Sequence, residues 1–328
     1  MRNPFKLATS VVALTLCFAQ AVSAQNTTSS FPNKPIKILL SFPPGGSSDQ
    51  ITRLVAPIMA ERLGQPVIVE NRPGAGGAIA IGAVAKASPD GYTIGVGAAG
   101  GLGVNGVVTG QQPYDPLKDL TPIGNMVWAS FILVAPPDFK PQTIKEVIAE
   151  GKQHAGGLSI GHGGPGTMMH LSTELFKHMA KLDAVVVPYK GTAPATMDAM
   201  AGQISLAMSD VPTAISYIKS KRLKAIAVTS GTRDSALPNV PTFAESGLPG
   251  YEATGWIAMV APAGTPPAIV KRLNTELAAA LARPEVREKV LASGYQTATG
   301  TPEELGNLMR SEIVKWGSLV RDAKIKID

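Results

Sequence analysis

The sequence predicts two doubly wound α/β domains, each built on a parallel sheet, with the C-terminal segment returning to the first. Three observations predict this. Short apolar runs alternate with amphipathic stretches at the spacing of βα units. The 328 residues, 45% of them apolar, suffice for two packed cores. The pattern restarts at residue 128 and changes character again near Gly250. Residues 25–127 with 250–328 are therefore expected to form one domain, and 128–249 the other.

In chain order, residues 36–42 read as a buried strand and 49–63 as a helix. Ile51, Leu54, Val55, Ile58 and Met59 share one stripe of that helix, and Gly64 stops it. A strand is expected at 67–70, then a small-residue helix at 78–86 and a third strand at 92–96. The second series has strands at 131–135, 158–160, 184–188, 204–208 and 225–228. Its helices are expected at 143–152, 168–180 and 194–200. A strand at 257–261 and long helices at 267–282 and 302–323 complete the order. No internal repeat or low-complexity tract interrupts it.

Residues 1–24 read as a secretory signal peptide. Arg2 and Lys6 start it, an apolar run follows from Leu7, and Val22-Ser23-Ala24 supplies the small-residue cleavage site. The run is short for a membrane span. Cys17, the only cysteine, falls inside it after Leu16, which is not the small residue of a lipoprotein signal. The secreted chain would then have no disulfide and no thiol chemistry. Losing Arg2 and Lys6 leaves 28 basic residues against 24 acidic, a balance of +4. With no basic tract and only 5% aromatic residues, this favours small anions over nucleic acid.

Several motifs compete for a chemical role. Gly95-Val-Gly-Ala-Ala-Gly100 matches GxGxxG, but a Gly-rich loop rather than a helix is expected after it. Gly161-His-Gly-Gly-Pro-Gly166 lies between a strand and a helix, yet the acidic ribose partner is misplaced. Asp183 precedes the next strand, and Tyr189 and Lys190 hold its far end. No nucleotide cofactor is expected. Gly157-Leu-Ser-Ile-Gly161 matches GxSxG with Ser159 inside the strand, unlike a nucleophile elbow. His170, Glu174 and His178 recur at i, i+4 and i+8, but the helix drifts too far for a shared metal. No catalytic residue and no metal site are assigned. The strongest local signal is Ser41-Phe-Pro-Pro-Gly-Gly-Ser-Ser-Asp49, where free N–H groups at a helix start face a crevice.

These segments together resemble the substrate-binding receptors of tripartite tricarboxylate transporters, the Bug family. The resemblance runs through Pro35-Ile-Lys-Ile38, Phe42 to Asp49, Val69-Glu-Asn-Arg-Pro-Gly-Ala-Gly-Gly77 and Ala87-Ser-Pro-Asp-Gly-Tyr-Thr93. It continues through Val187-Pro-Tyr-Lys-Gly191, Leu223-Lys-Ala-Ile-Ala-Val-Thr-Ser230 and Leu237-Pro-Asn-Val-Pro-Thr-Phe-Ala-Glu-Ser-Gly247. It covers essentially the whole chain after the signal.

The resemblance implies a periplasmic, two-domain clamshell that captures a small organic carboxylate for a membrane permease and catalyses nothing. It implies ligand contacts from Phe42, Gly46, Ser47 and Ser48 in the first domain, and from Gly166, Thr167 and His170 in the second. Tyr189, Thr192 and Asp210 are expected nearby. A monomer is expected. Ala98-Ala-Gly-Gly101, Met168-Met169 and Ala207-Met-Ser209 are less polar than the family pattern, which points to an apolar or aromatic ligand body. Two other readings stay open: a secreted hydrolase using Ser159 or Ser47, and a carboxylate-sensing subunit.

Overall fold

A computed structural model describes residues 31–110, 112–153 and 156–325. Residues 1–24, expected to be a signal peptide, lie outside the described residues, and Cys17 with them. The strands are β1 (Ile36–Leu40), β2 (Val67–Asn71), β3 (Thr93–Ala98), β4 (Leu120–Ala135), β5 (Leu158–His162), β6 (Ala184–Pro188), β7 (Leu206–Asp210), β8 (Lys224–Val228), β9 (Thr254–Pro262) and β10 (Tyr295–Thr297). The helices are α1 (Ser47–Leu63), α2 (Ala78–Ala85), α3 (Asn105–Thr109), α4 (Ile144–Gln153), α5 (Met168–Ala180), α6 (Thr192–Met200), α7 (Val211–Lys219), α8 (Pro267–Leu281), α9 (Pro284–Ala292) and α10 (Pro302–Asp322).

Local chemistry accounts for most boundaries. Ile51, Val55 and Met59 give α1 a fully buried stripe, and Gly64 ends it in a left-handed turn at φ 68°. Thr301 and Glu304 form a reciprocal capping box at the start of α10. Each buried Ile or Leu of these stripes contributes about 1.5–3 kcal/mol.

Two sheets share one strand. In the first, β2, β1 and β3 run parallel, β9 is antiparallel to both β3 and β4, and β10 edges β4. In the second, β7, β5 and β6 run parallel, and β4 pairs antiparallel with β7 and β8. The parallel sheets expected from sequence are thus interrupted by the strands that carry the chain between halves. The fold is the two-domain α/β clamshell.

The change of partner within β4 is abrupt. Ser130 opposes Thr254 of β9, while Phe131 opposes Asp210 of β7. The returning chain crosses beside it. Thr229 N donates to Phe131 O at 2.9 Å, Thr229 Oγ1 accepts from Phe131 N at 3.0 Å, and Ala253 N donates to Thr229 O at 2.8 Å. A continuous core runs past this crossing, from Ile81 and Leu102 through Trp256 to Leu133 and Phe176. Tyr251 fastens the return segment to α5: its ring stacks on Phe243 at 4.2 Å and its hydroxyl donates to Ser172 O.

Two expectations fail in detail. The strand expected at 131–135 is only the last third of β4, because Pro122 and Gly124 disguise its start. The Gly-rich stretch after β3 is not a plain loop either. Gly100–Val104 forms a wide π turn that runs into α3, with Gly103 at φ 156° breaking the helical path.

Candidate functional site

The β1–α1 connection is tied down from below. The N-cap of α1 is Gly46, whose lack of a side chain leaves the first N–H groups uncapped. Asp49 turns inward instead. Its Oδ2 accepts from Gly45 N at 3.0 Å, and its Oδ1 accepts from Asn71 Nδ2 at 2.7 Å and Arg53 Nε at 3.0 Å. Asn71 Nδ2 also donates to Phe42 O, and Arg53 reaches Asn71 Oδ1. Burial pushes the Asp49 carboxyl up, but the donors from Asn71, Gly45 and Arg53 outweigh it and hold it below the ordinary aspartate value.

The β5–α5 connection is tied by two histidines. The rings of His162 and His170 stack at 4.4 Å and 12°. His162 Nδ1 lies 3.0 Å from Gly164 O and 3.2 Å from Gly164 N, and His170 Nδ1 accepts from Gly166 N at 3.2 Å. Thr167 caps α5, its Oγ1 accepting from His170 N and donating to Gly164 O. Burial, helped by the neighbouring His170, pushes His162 down to about 4. Burial and the Lys177 ammonium lower His170 as well. Both imidazoles are neutral at pH 7.

Above these loops, between the two sheets, lies a cleft of about 560 Å³. The first half contributes Phe42 and Ser48, the β2–α2 turn at Ala75, Gly76 and Ala78, and the end of β3 with Asn105 and Thr109. The second contributes Pro165, Gly166, Thr167, Met168 and Met169. The crossing strands supply Ala129, Phe131, Gly255, Trp256 and Ile257, and Tyr295 comes from β10. The β2 and β3 loops approach closely. A Cβ on Gly101 would sit 3.3 Å from the Gly76 carbonyl oxygen and the Gly77 backbone.

Of the residues singled out from sequence, Phe42, Ser48, Gly166 and Thr167 line this cleft together. Gly46 and Ser47 open α1 beside it. His170, expected as a ligand contact, sits beneath the loop as a hydrogen-bond acceptor and is not among the lining residues. The other three are not among the lining residues either. Tyr189 donates to Asp198 Oδ2 at 2.7 Å, and burial together with that carboxylate pushes its phenol up to about 12. Thr192 opens α6 against Gly163. Asp210 caps α7, accepting from Thr213 N at 2.9 Å.

Ala98, Ala99, Met168 and Met169 do line the cleft, whereas Ala207, Met208 and Ser209 are core residues of β7. Sequence reasoning passed over Phe131, Trp256 and Tyr295, which carry no motif and reach the cleft only because β4, β9 and β10 pair. Ser159 exchanges hydrogen bonds with Ser205, its Oγ accepting from Ser205 N at 2.9 Å. Among the described residues, no group of three metal-binding side chains forms, and no helix is long and apolar enough to cross a membrane.

Two α/β halves joined by paired crossing segments, with residues from the starts of α1 and α5 lining one cleft, define a binding protein of the periplasmic clamshell class. A model of the tripartite tricarboxylate transporter family receptor matches residues 51–325. The chain belongs to that family. It is 34% identical to Protein BugT of Bordetella pertussis, covering 93% of this chain and 94% of that protein. The structure titled "R. palustris Rpa4515 with adipate" superposes with TM-score 0.77 at 33% identity, covering 90% of this chain and 99% of that one. MatC from Rhodopseudomonas palustris with bound malate gives TM-score 0.73 at 33% identity, covering 88% and 100%.

Proposed function

We propose that this protein is secreted to the periplasm, captures a small organic carboxylate in the cleft, and delivers it to the membrane permease of a tripartite transporter. Aromatic acids are among the candidate ligands. The protein acts as a monomer and catalyses no reaction. Residues 25–127 with 250–328, and 128–249, move as the two bodies of the clamshell.

One observation carries this reading: the starts of α1 and α5, from opposite halves, meet at one cleft where Ser48, Gly166 and Thr167 all line the wall. Backbone N–H groups and the helix dipole make each start favourable for a carboxylate. The adipate and malate bound in two relatives fit the same chemistry.

A thermal-shift screen of the purified protein against aliphatic mono-, di- and tricarboxylates, aromatic acids and amino acids tests it. A ligand at a hundred times its Kd adds about 2.7 kcal/mol, a visible rise in Tm. No stabilisation by any carboxylate would remove the proposal.

A further inference from the structure

We infer that a second pocket, behind the crossing strands, binds an organic cation through its ammonium or guanidinium group. Side chains alternate along β4, so its two faces serve different cavities. Ala129 and Phe131 line the cleft, whereas Trp128 and Ser130 line a separate pocket of about 500 Å³. All three segments that join the halves reach this pocket: β4 at Ser130, the returning chain at Ser230 and Thr232, and the start of β9 at Thr254. β10 adds Gln296.

The pocket offers acceptors and negative charge that nothing in the fold uses. Ser130 is only 5% exposed, yet its hydroxyl makes no hydrogen bond among the described residues. A buried hydroxyl left unpaired is costly, and a ligand that donates to it removes the cost. The Glu252 carboxylate lies over Gly231, whose missing side chain makes the room. A Cβ there would sit 3.0 Å from Oε2 and 3.3 Å from Oε1. That carboxylate has no ion-pair partner among the described residues. Lys315, the cation beside it, donates to the Glu252 backbone oxygen, and its ammonium lies 4.8 Å from the Trp316 ring centre and 3.8 Å from Glu312. Trp128 supplies an aromatic wall, and an indole face attracts a cation through its quadrupole. A smaller cavity of about 250 Å³ also has Trp128 in its wall, with Glu304 its one charged lining residue. The chain has 30 basic residues against 24 acidic, yet neither cavity beside Trp128 is lined by Lys or Arg. The local charge is thus opposite to that of the chain as a whole, and it favours a cation.

Titration at constant ionic strength, followed by NMR at the Trp128 indole N–H, tests the inference. The other two tryptophans, Trp256 and Trp316, are buried, and Trp128→Phe assigns the signal by removing it. The probes are n-butylammonium and acetyl-arginine methylamide, each set against an uncharged partner, n-butanol and acetyl-citrulline methylamide. At least one cation should bind about tenfold more tightly than its partner, and Glu252→Gln should remove most of that difference. Glu252 is exposed, so the fold should tolerate this change, and the comparison on the unaltered protein stands without it. A response to n-butylammonium alone makes the ligand a free amine, and a response to the arginine derivative alone makes it a side chain of another protein. Uncharged partners that bind as tightly, an unchanged preference in folded Glu252→Gln, or silence from both cations would overturn the inference. None of these results touches the carboxylate reading, whose screen addresses the other face of β4.

Discussion

Beneath the loop that follows β1, three donors converge on the Asp49 carboxylate; beneath the loop that follows β5, two neutral imidazoles take the equivalent place. Removing the first tie leaves Asn71 and Gly45 facing a buried gap. Asp49→Ala should therefore cost about 1–2 kcal/mol in urea unfolding, since Asn71 Nδ2 and Gly45 N lose their acceptor while the half-exposed Arg53 turns to water. The two ties respond to acid differently. An unfolded histidine binds a proton below about pH 6.5, whereas His162 in the fold resists until about pH 4. Its contribution to stability is intact above 6.5 and declines as the pH falls through that window, by up to about 3 kcal/mol. His170, also lowered, adds to the decline, and its protonation takes the acceptor from Gly166 N–H. Asp49 is held below the ordinary aspartate value, so its loss begins only at more acidic pH. Urea unfolding at pH 7 and 4.5 should show the histidine slope, and His162→Gln should flatten it.

At the scale of elements, the sequence carried most strands and helices to within two or three residues. The apolar stripe of α1 and the glycine after it mark that helix unaided. The helix starts were legible for the same reason, because Gly46 and Thr167 stand just ahead of periodic apolar residues. What periodicity could not show was pairing at long range. The first part of β4 contains Thr121, Pro122, Gly124 and Asn125, a run that reads as a turn until β9 lies beside it. Phe131 consequently looked like an ordinary core residue, although it walls the ligand cleft. The β5–α5 loop makes a testable demand on its backbone. Gly164 adopts φ +123°, and a Cβ there would meet Tyr189 O at 3.1 Å. Gly164→Ala should therefore weaken ligand binding at least tenfold by shifting the loop, with a stability loss of about 1–3 kcal/mol. Binding titration beside thermal unfolding separates the two effects.

For the whole molecule, the proposed motion is closure of one half on the other about the Ser130–Phe131 crossing and its neighbour Thr229. The radius of gyration from solution scattering should fall when a saturating ligand is added, and remain constant with a carboxylate that does not bind. Lys190, exposed beside the second anion loop, is placed to attract ligand without lining the cleft. Lys190→Ala should slow association about two- to threefold and flatten its salt dependence, while dissociation stays nearly unchanged. A large rise in the dissociation rate in stopped-flow traces would instead show direct contact.

The position of β9 has a consequence for how the chain is made. It lies between β3 and β4, yet it is synthesised more than a hundred residues after both. Until it emerges, β3 has an open edge and the first half cannot close its sheet. The nascent protein therefore stays incompletely folded for most of its synthesis. That delay would suit the proposed secretion, in which the chain crosses a membrane before its two halves close around a ligand.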